Sequence, residues 1–219
     1  MIFSIFSAYN GWAILLALLA FVLAILVALV LHEWAHAWAA FKSGDPTAKL
    51  MGRMSLNPRA HVEPMGLMMF MIVGIGWAKP VPVNPFNYRN FKRGNFFVSV
   101  AGVTVNFILG FLFSLGYFLV YTYANMDIGI WFFLGTFFMF GTFINIALMI
   151  FNLLPVPPLD GYNMLVSITK PNNRYMQWAR NNAMVLLLTI LVISMLTGGI
   201  MHLRDGIIGL FNMLWGAIF

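Results

Sequence analysis

No charged residue occurs between Gly11 and Val30, and this apolar run closes on Leu31-His32-Glu33-Trp34-Ala35-His36. A stretch of that length and composition crosses lipid as a helix, because a membrane offers the backbone no other hydrogen-bond partners. On a helix, residues four apart share one face, so the imidazoles of His32 and His36 stand one above the other. That spacing lets both bind a single metal ion, with Glu33 beside them as a general base. Ionisable groups at membrane depth are costly and mark functional sites. The competing reading is a packed pair of histidines with a glutamate snorkelling to the interface.

Composition supports the membrane reading. Of 219 residues, 62% are hydrophobic and 8% charged, against roughly 25% charged in soluble domains. With no cysteine, disulfides and thiolate metal sites are excluded, and a metal must be held by His, Asp or Glu, a donor set that suits Zn²⁺. The net charge of +6 lies in loops between apolar runs, where it orients the chain in a bilayer, and it does not signal a nucleic-acid partner. The N-terminus lacks a basic leader and a small-residue cleavage site, so the first helix is expected to be retained. One domain, 1–219, is expected, with the lipid bilayer as its surroundings.

Taken in order, residues 12–41 form the first span, stopped by Gly44 and Pro46. Residues 47–64 are a polar, basic loop, in which Asp45 just before it and Glu63 are read as solvated turn residues. Met65 to Trp77 is apolar but only 13 residues long, about 20 Å as a helix and too short to span. Three prolines in residues 80–85 then exclude helix and suggest a short extended edge. Residues 96–124 form a second span, with Gly102, Asn106, Gly110 and Ser114 every four residues as a close-packing face. Further spans are expected at 128–154 and 183–203, and residues 206–219 are either interfacial or packed on the bundle.

Loops 42–64, 78–95 and 169–182 are basic, whereas the turn at 125–127 carries only Asp127. Basic loops face the cytoplasm, so residues 65–77 must dip in and return on one side. The expected architecture is an all-α polytopic membrane bundle of about four core helices, a re-entrant segment and an extended edge near the cytoplasmic face. It brings the ends of spans 12–41 and 128–154 to the same depth, and with them His32, His36 and Asp160. A catalytic zinc needs a third protein ligand and an open position. Asp127, His202 and Asp205 fall on the far side, Asp45 and Glu63 in a basic loop, and Asp160 remains. It sits in the Pro-rich break Pro155-Val156-Pro157-Pro158-Leu159-Asp160-Gly161. Asp160-Gly161 also reads as a plain turn signal. His61 is assigned to the loop or to supporting the ligands, with direct ligation as the alternative.

His32-Glu33-x-x-His36 paired with Asn152-Leu153-Leu154-Pro155-x-Pro157-Pro158-Leu159-Asp160-Gly161 resembles the site-2 protease family, in particular its small prokaryotic members without a PDZ domain. Gly44-Asp45-Pro46-Thr47-Ala48, Gly52-Arg53-x-x-Leu56-Asn57-Pro58 and Gly76-Trp77-Ala78-Lys79-Pro80-Val81-Pro82-Val83 are similar to segments of that subgroup, and the similarity extends from about residue 30 to 165. One departure is Ala101-Gly102-Val103, where relatives have Ala-Gly-Pro. The resemblance implies an intramembrane zinc metalloprotease of the cell membrane with one Zn²⁺ per chain, His32, His36 and Asp160 as ligands and Glu33 activating water. Its partners would be transmembrane protein substrates, cut near the cytoplasmic face. Asn152, about two turns before Asp160, is a candidate oxyanion donor or a helix-packing hydrogen bond. Residues 79–85 are either an edge for an unwound substrate or a rigid cover. A metal transporter using the same His/His/Asp cluster is the alternative function, opposed by the apolar outer halves of the spans. An inactive scaffold is opposed by the presence of both Glu33 and Asp160. No pattern in the chain sets an oligomeric state.

Overall fold

The computed structural model describes residues 2–73, 76–127, 129–170 and 173–219. A short α1 (Ile2–Ala8) leads into α2 (Trp12–Ser43), whose 32 residues extend about 48 Å. Alanines at 17, 20, 24, 28, 35, 37, 39 and 40 are buried along α2, so neighbouring helices approach closely. The helix ends in a Schellman motif. Gly44 takes a left-handed φ of 111°, its N–H bonds to Phe41 O, and the Asp45 N–H bonds to Ala40 O.

After a one-turn α3 (Thr47–Leu50) and a 3₁₀ turn at Pro58–Ala60, α4 (Pro64–Val73) packs Phe70 on Phe21 of α2, with ring centroids 6.4 Å apart. The Lys79 N–H donates to His61 O at 2.8 Å, so the flanks of this excursion meet again, as a segment that returns on one side requires. Gly66 has no side chain because the Trp77 carbonyl would stand 2.0 Å from its Cβ.

Long helices α5 (Phe91–Tyr123) and α6 (Gly129–Asn152) complete the core. They form an antiparallel pair in which Gly110 receives Ile146, Gly116 receives Phe138 and Gly141 receives Phe113. Helix α6 runs parallel to α2, with Phe132 against Trp12 and Phe140 against Phe21. The ends of α2 and α6 therefore lie at one face. Beyond them come α7 (Asp160–Ile168), α8 (Arg174–Asn181), α9 (Ala183–Thr197) and α10 (Gly199–Ile218).

Among the described residues three helices, α2, α5 and α6, are long and apolar enough to cross a membrane, or four if α8 and α9, bent by 83°, count as one span. The chain is thus an all-α, multi-pass membrane protein. Helix α5 starts at Phe91 and not at 96, α8 lies within the expected loop 169–182, and the C-terminal part differs most from the sequence expectation. The helix expected over 183–203 breaks at Gly198, which is left-handed at φ 67°, and a separate α10 begins. That helix takes in residues 206–219 and packs on the bundle through Phe211 and Trp215, the indole N–H donating to Ser114 Oγ at 2.9 Å. The extended segment after α4 pairs with no strand among the described residues. Its prolines lack N–H groups, and Lys79 O, Pro80 O, Val81 N–H and Asn84 N–H are spent on side chains described below.

A candidate metal centre

Helix α2 presents His32 and His36 toward α5, where Gly102 makes room for them. A Cβ at Gly102 would stand 2.5 Å from His36 Nε2 and 2.6 Å from His32 Cε1. The absence of a side chain there serves the two rings directly, beyond the general close packing expected of this face.

The hydrogen bonds around the rings fix where their protons lie. Gly141 O can only accept, so Asn145 turns its amide N toward it, at 2.8 Å. Asn145 Oδ1 then accepts from Asn106 Nδ2 at 2.8 Å, which aims Asn106 Oδ1 at His32 Nδ1, 2.6 Å away. His32 Nδ1 must therefore donate. His36 Nδ1 likewise donates to the Val98 carbonyl at 2.8 Å. In neutral imidazoles both Nε2 atoms are then bare lone pairs, yet they face each other at 2.9 Å.

Asp160 stands at the start of α7, held there by its surroundings. Gly161 lies so close to the end of α6 that a Cβ would meet Leu153 O at 2.2 Å. Asn95 of α5 donates to Asn163 O and Ser167 Oγ, both at 2.8 Å, and so locks α7 against α5. Asp160 Oδ2 lies 3.3 Å from His36 Nε2 and 3.6 Å from His32 Nε2, and it is buried with no hydrogen-bond partner. His32, His36 and Asp160 thus converge, their candidate ligand atoms within 4.8 Å of one another. With both imidazoles neutral, two lone pairs and a carboxylate oxygen without a hydrogen-bond partner meet here, and a cation would satisfy all three. Tetrahedral zinc with bonds of about 2.0–2.1 Å separates its ligand atoms by roughly 3.3–3.4 Å, close to the spacings found. The residues fit the metal.

Glu33, 9% exposed, accepts the Val81 N–H on Oε2 at 2.9 Å. Val81 is brought there by a strap over residues 78–84. Arg53 Nη2 donates to Lys79 O and Pro80 O at 2.7 and 3.1 Å, and the Asn84 N–H donates to Asp45 Oδ2 at 2.6 Å. Asp45, expected to be a solvated turn residue, is fully buried. Its carboxylate also takes hydrogen bonds from the Thr47 N–H and hydroxyl and from Asn87 Nδ2. Burial pushes its carboxyl up, but these four donors outweigh that and hold it below the usual carboxylate value. Asp45 stands at the edge of this polar loop as a fastening point and not as a solvated residue.

The other candidates are less central. Asn152, at the last turn of α6, donates to Leu148 O of its own helix at 3.1 Å. His61 is fully buried and donates through Nε2 to Ser55 O at 2.7 Å, outside the His/His/Asp group. Asn106 and Asn145 are parts of the site that the sequence pattern does not reveal. The only signal was an amide at the same interval as the small residues of α5, and intervals alone do not reveal a partner on α2.

A family model, Peptidase family M50, matches residues 118–196, a range that includes Asp160 and leaves out the His32–His36 motif. "Putative zinc metalloprotease YwhC" of Bacillus subtilis (strain 168) is 36% identical over 202 residues, covering 84% of this chain and 87% of that protein. "Putative zinc metalloprotease Rip2" of Mycobacterium tuberculosis (strain ATCC 25618 / H37Rv) is 34% identical over 177 residues, covering 77% of this chain and 64% of that protein. No solved structure matches the chain. Similarity that runs through most of the chain, on a helical membrane scaffold carrying the paired motifs, means that the chain belongs to peptidase family M50, the site-2 protease family.

Proposed function

We propose that residues 1–219 act as one intramembrane zinc metalloendopeptidase that hydrolyses peptide bonds within or near transmembrane segments of membrane proteins. In this reading one Zn²⁺ per chain is held by His32, His36 and Asp160. The observation that carries it is the convergence of His32 Nε2, His36 Nε2 and Asp160 Oδ2 beside Glu33, which lies with the two histidines on a membrane-spanning helix. Bound there, zinc supplies a Lewis acid that acidifies a water and polarises a carbonyl.

The chain's own residues do the rest. Asn106 and the Val98 carbonyl hold the two imidazoles by their Nδ1–H groups, so the rings cannot turn away from the centre. Glu33 spends Oε2 on the Val81 N–H, which steadies the carboxylate and leaves Oε1 to take a proton from the attacking water. The same carboxyl then returns the proton to the leaving amine. The strap at 78–84 lies over this carboxylate and screens the site from bulk water. Asn152 would serve as an oxyanion donor with the Nδ2 hydrogen not given to Leu148. The positive loops at this end of the bundle support a site that faces the cytoplasm.

Zinc content and cleavage of a model transmembrane substrate in detergent, for wild type and Glu33→Gln, test the proposal. One zinc in both proteins with cleavage by wild type alone is the expected result. A folded, metal-loaded wild type that cuts no membrane substrate would refute the protease reading. A folded protein that takes up no metal would refute the ligand assignment.

A further inference from the structure

Lys42, Ser43, Arg89, Asn90, Arg93, Gly94 and Phe97 line a cleft of about 320 Å³ where the end of α2 meets the start of α5. Three of these side chains are cations. None forms an ion pair among the described residues. The acid nearest in sequence, Asp45, is buried and spends its carboxylate on Thr47, Asn84 and Asn87. The adjacent Lys92 reaches instead to Thr169 O. The amide end of the 33-residue α5, capped by Asn90, adds partial positive charge to the same place.

The cleft opens at a particular height. Both α2 and α5 are membrane-spanning candidates, and the cleft sits at their shared end, where a bilayer has its headgroups. Directly on the apolar side lie Trp38 and Phe97, 38% and 43% exposed, with ring centroids 5.9 Å apart. Lys42 Nζ stands 5.8 Å over the Trp38 ring. An unpaired triad of cations above an exposed aromatic wall matches a phosphate carrying acyl chains. Free phosphate would use the cations and leave the wall bare.

We propose that this cleft binds the phosphate of an anionic phospholipid headgroup, with the acyl chains lying on Trp38 and Phe97. Basic clefts between membrane helices on the positive side are suited to such headgroups. The bound lipid clamps the α2–α5 seam about one turn from Val98, whose carbonyl holds His36, so the site it steadies is continuous with the metal centre. This assignment does not depend on what the centre catalyses.

Native mass spectrometry of the protein in micelles containing equal phosphatidylglycerol and phosphatidylcholine of matched chains tests it. Wild type is expected to retain one phosphatidylglycerol with at least about fivefold preference. The variant Arg89→Gln with Arg93→Gln should bring that preference close to one, and Lys42→Gln alone should lower it. Gln keeps the stem that Arg89 packs near Gly44, and the single Lys42 variant decides the matter should the double variant not fold. Neutralising Arg174 and Arg180 on α8 should leave the preference intact. An unchanged preference in the cleft variants would overturn the proposal, as would an equal loss in the α8 control. Displacement of the lipid by millimolar inorganic phosphate would assign the cleft to free anions, and displacement by an acidic peptide to a protein partner; each would overturn it as well.

Discussion

Replacing Gly102 by alanine separates metal binding from folding. The new Cβ would stand 2.5 Å from His36 Nε2, 2.6 Å from His32 Cε1 and 2.7 Å from His36 Cε1. Non-bonded atoms settle at about 3.5 Å, so the rings would have to withdraw by roughly 1 Å. Metal–ligand distances tolerate only about 0.2 Å. Nor can the rings retreat freely, because Asn106 and the Val98 carbonyl grip their other nitrogens at 2.6 and 2.8 Å. Zinc affinity, measured by competition with a chromophoric chelator, should fall by at least about 100-fold, the upper end of what losing a ligand's support costs. Stability should change much less, since alanine gains up to about 1 kcal/mol of helix propensity against an overpacking cost of about 1–3 kcal/mol. Gly110→Ala is the matched control. Its Cβ would meet Ile146 Cδ1 at the same 2.5 Å, on the same helix but away from the histidines. It should cost stability and leave zinc binding intact. A Gly102→Ala protein that binds zinc within threefold of wild type, or a Gly110→Ala protein that loses it equally, would refute the reasoning.

Asn106→Ala leaves the His32 Nδ1–H and Asn145 Oδ1 unpaired in a fully buried setting, at about 1–3 kcal/mol each. It should lower thermal stability and weaken zinc binding about 10- to 100-fold, while Asn145→Ala, which keeps the His32 bond, should weaken zinc less. Equal zinc affinity in all three proteins would contradict the proton assignment. Arg53→Ala removes a charged donor from Lys79 O and Pro80 O, a loss of about 1.5–3 kcal/mol, so amide exchange in peptides covering 78–84 should quicken roughly 10- to 100-fold with zinc content unchanged. Unaltered exchange would mean that the strap is held by other contacts. Asp45 supplies the pH test. Its carboxyl is depressed in the fold, so its stabilisation is complete above the unfolded value of about 3.9 and is lost as pH falls through the lower folded value. Wild type should therefore lose stability below about pH 4, whereas Asp45→Asn should be less stable at pH 7 and lack that acid-dependent loss. Parallel stability curves for the two proteins over this range would show that Asp45 is not the group responsible.

Much of the scaffold could be read directly. Gly44 and Pro46 end α2 where expected, and the described flanks of the 13-residue run at 65–77 meet again, as a segment too short to cross requires, residues 74 and 75 lying outside the described residues. The meeting of His32, His36 and Asp160 follows from the same counting of crossings. Other features were hidden. Gly198-Gly199 signals a break, yet continuous hydrophobicity on both sides masked it, and only packing against α5 and α6 decides that α10 is a separate helix. Asp45 looked like a loop residue because loop polarity does not distinguish a solvated carboxylate from one that fastens the chain.

The sequence by itself determined the membrane class, the three long crossings of α2, α5 and α6 and the chemical types at the centre, because hydropathy, helix length and i, i+4 spacing are local properties written along one segment. Tertiary structure alone decided that Gly102 is the floor under the two imidazoles. It also decided that a relay from Gly141 through Asn145 aims Asn106 Oδ1 at His32 Nδ1, and that Val81 holds Glu33. Each of these joins residues tens of positions apart through contacts of about 3 Å, and no periodicity along a chain specifies which partner fills such a contact.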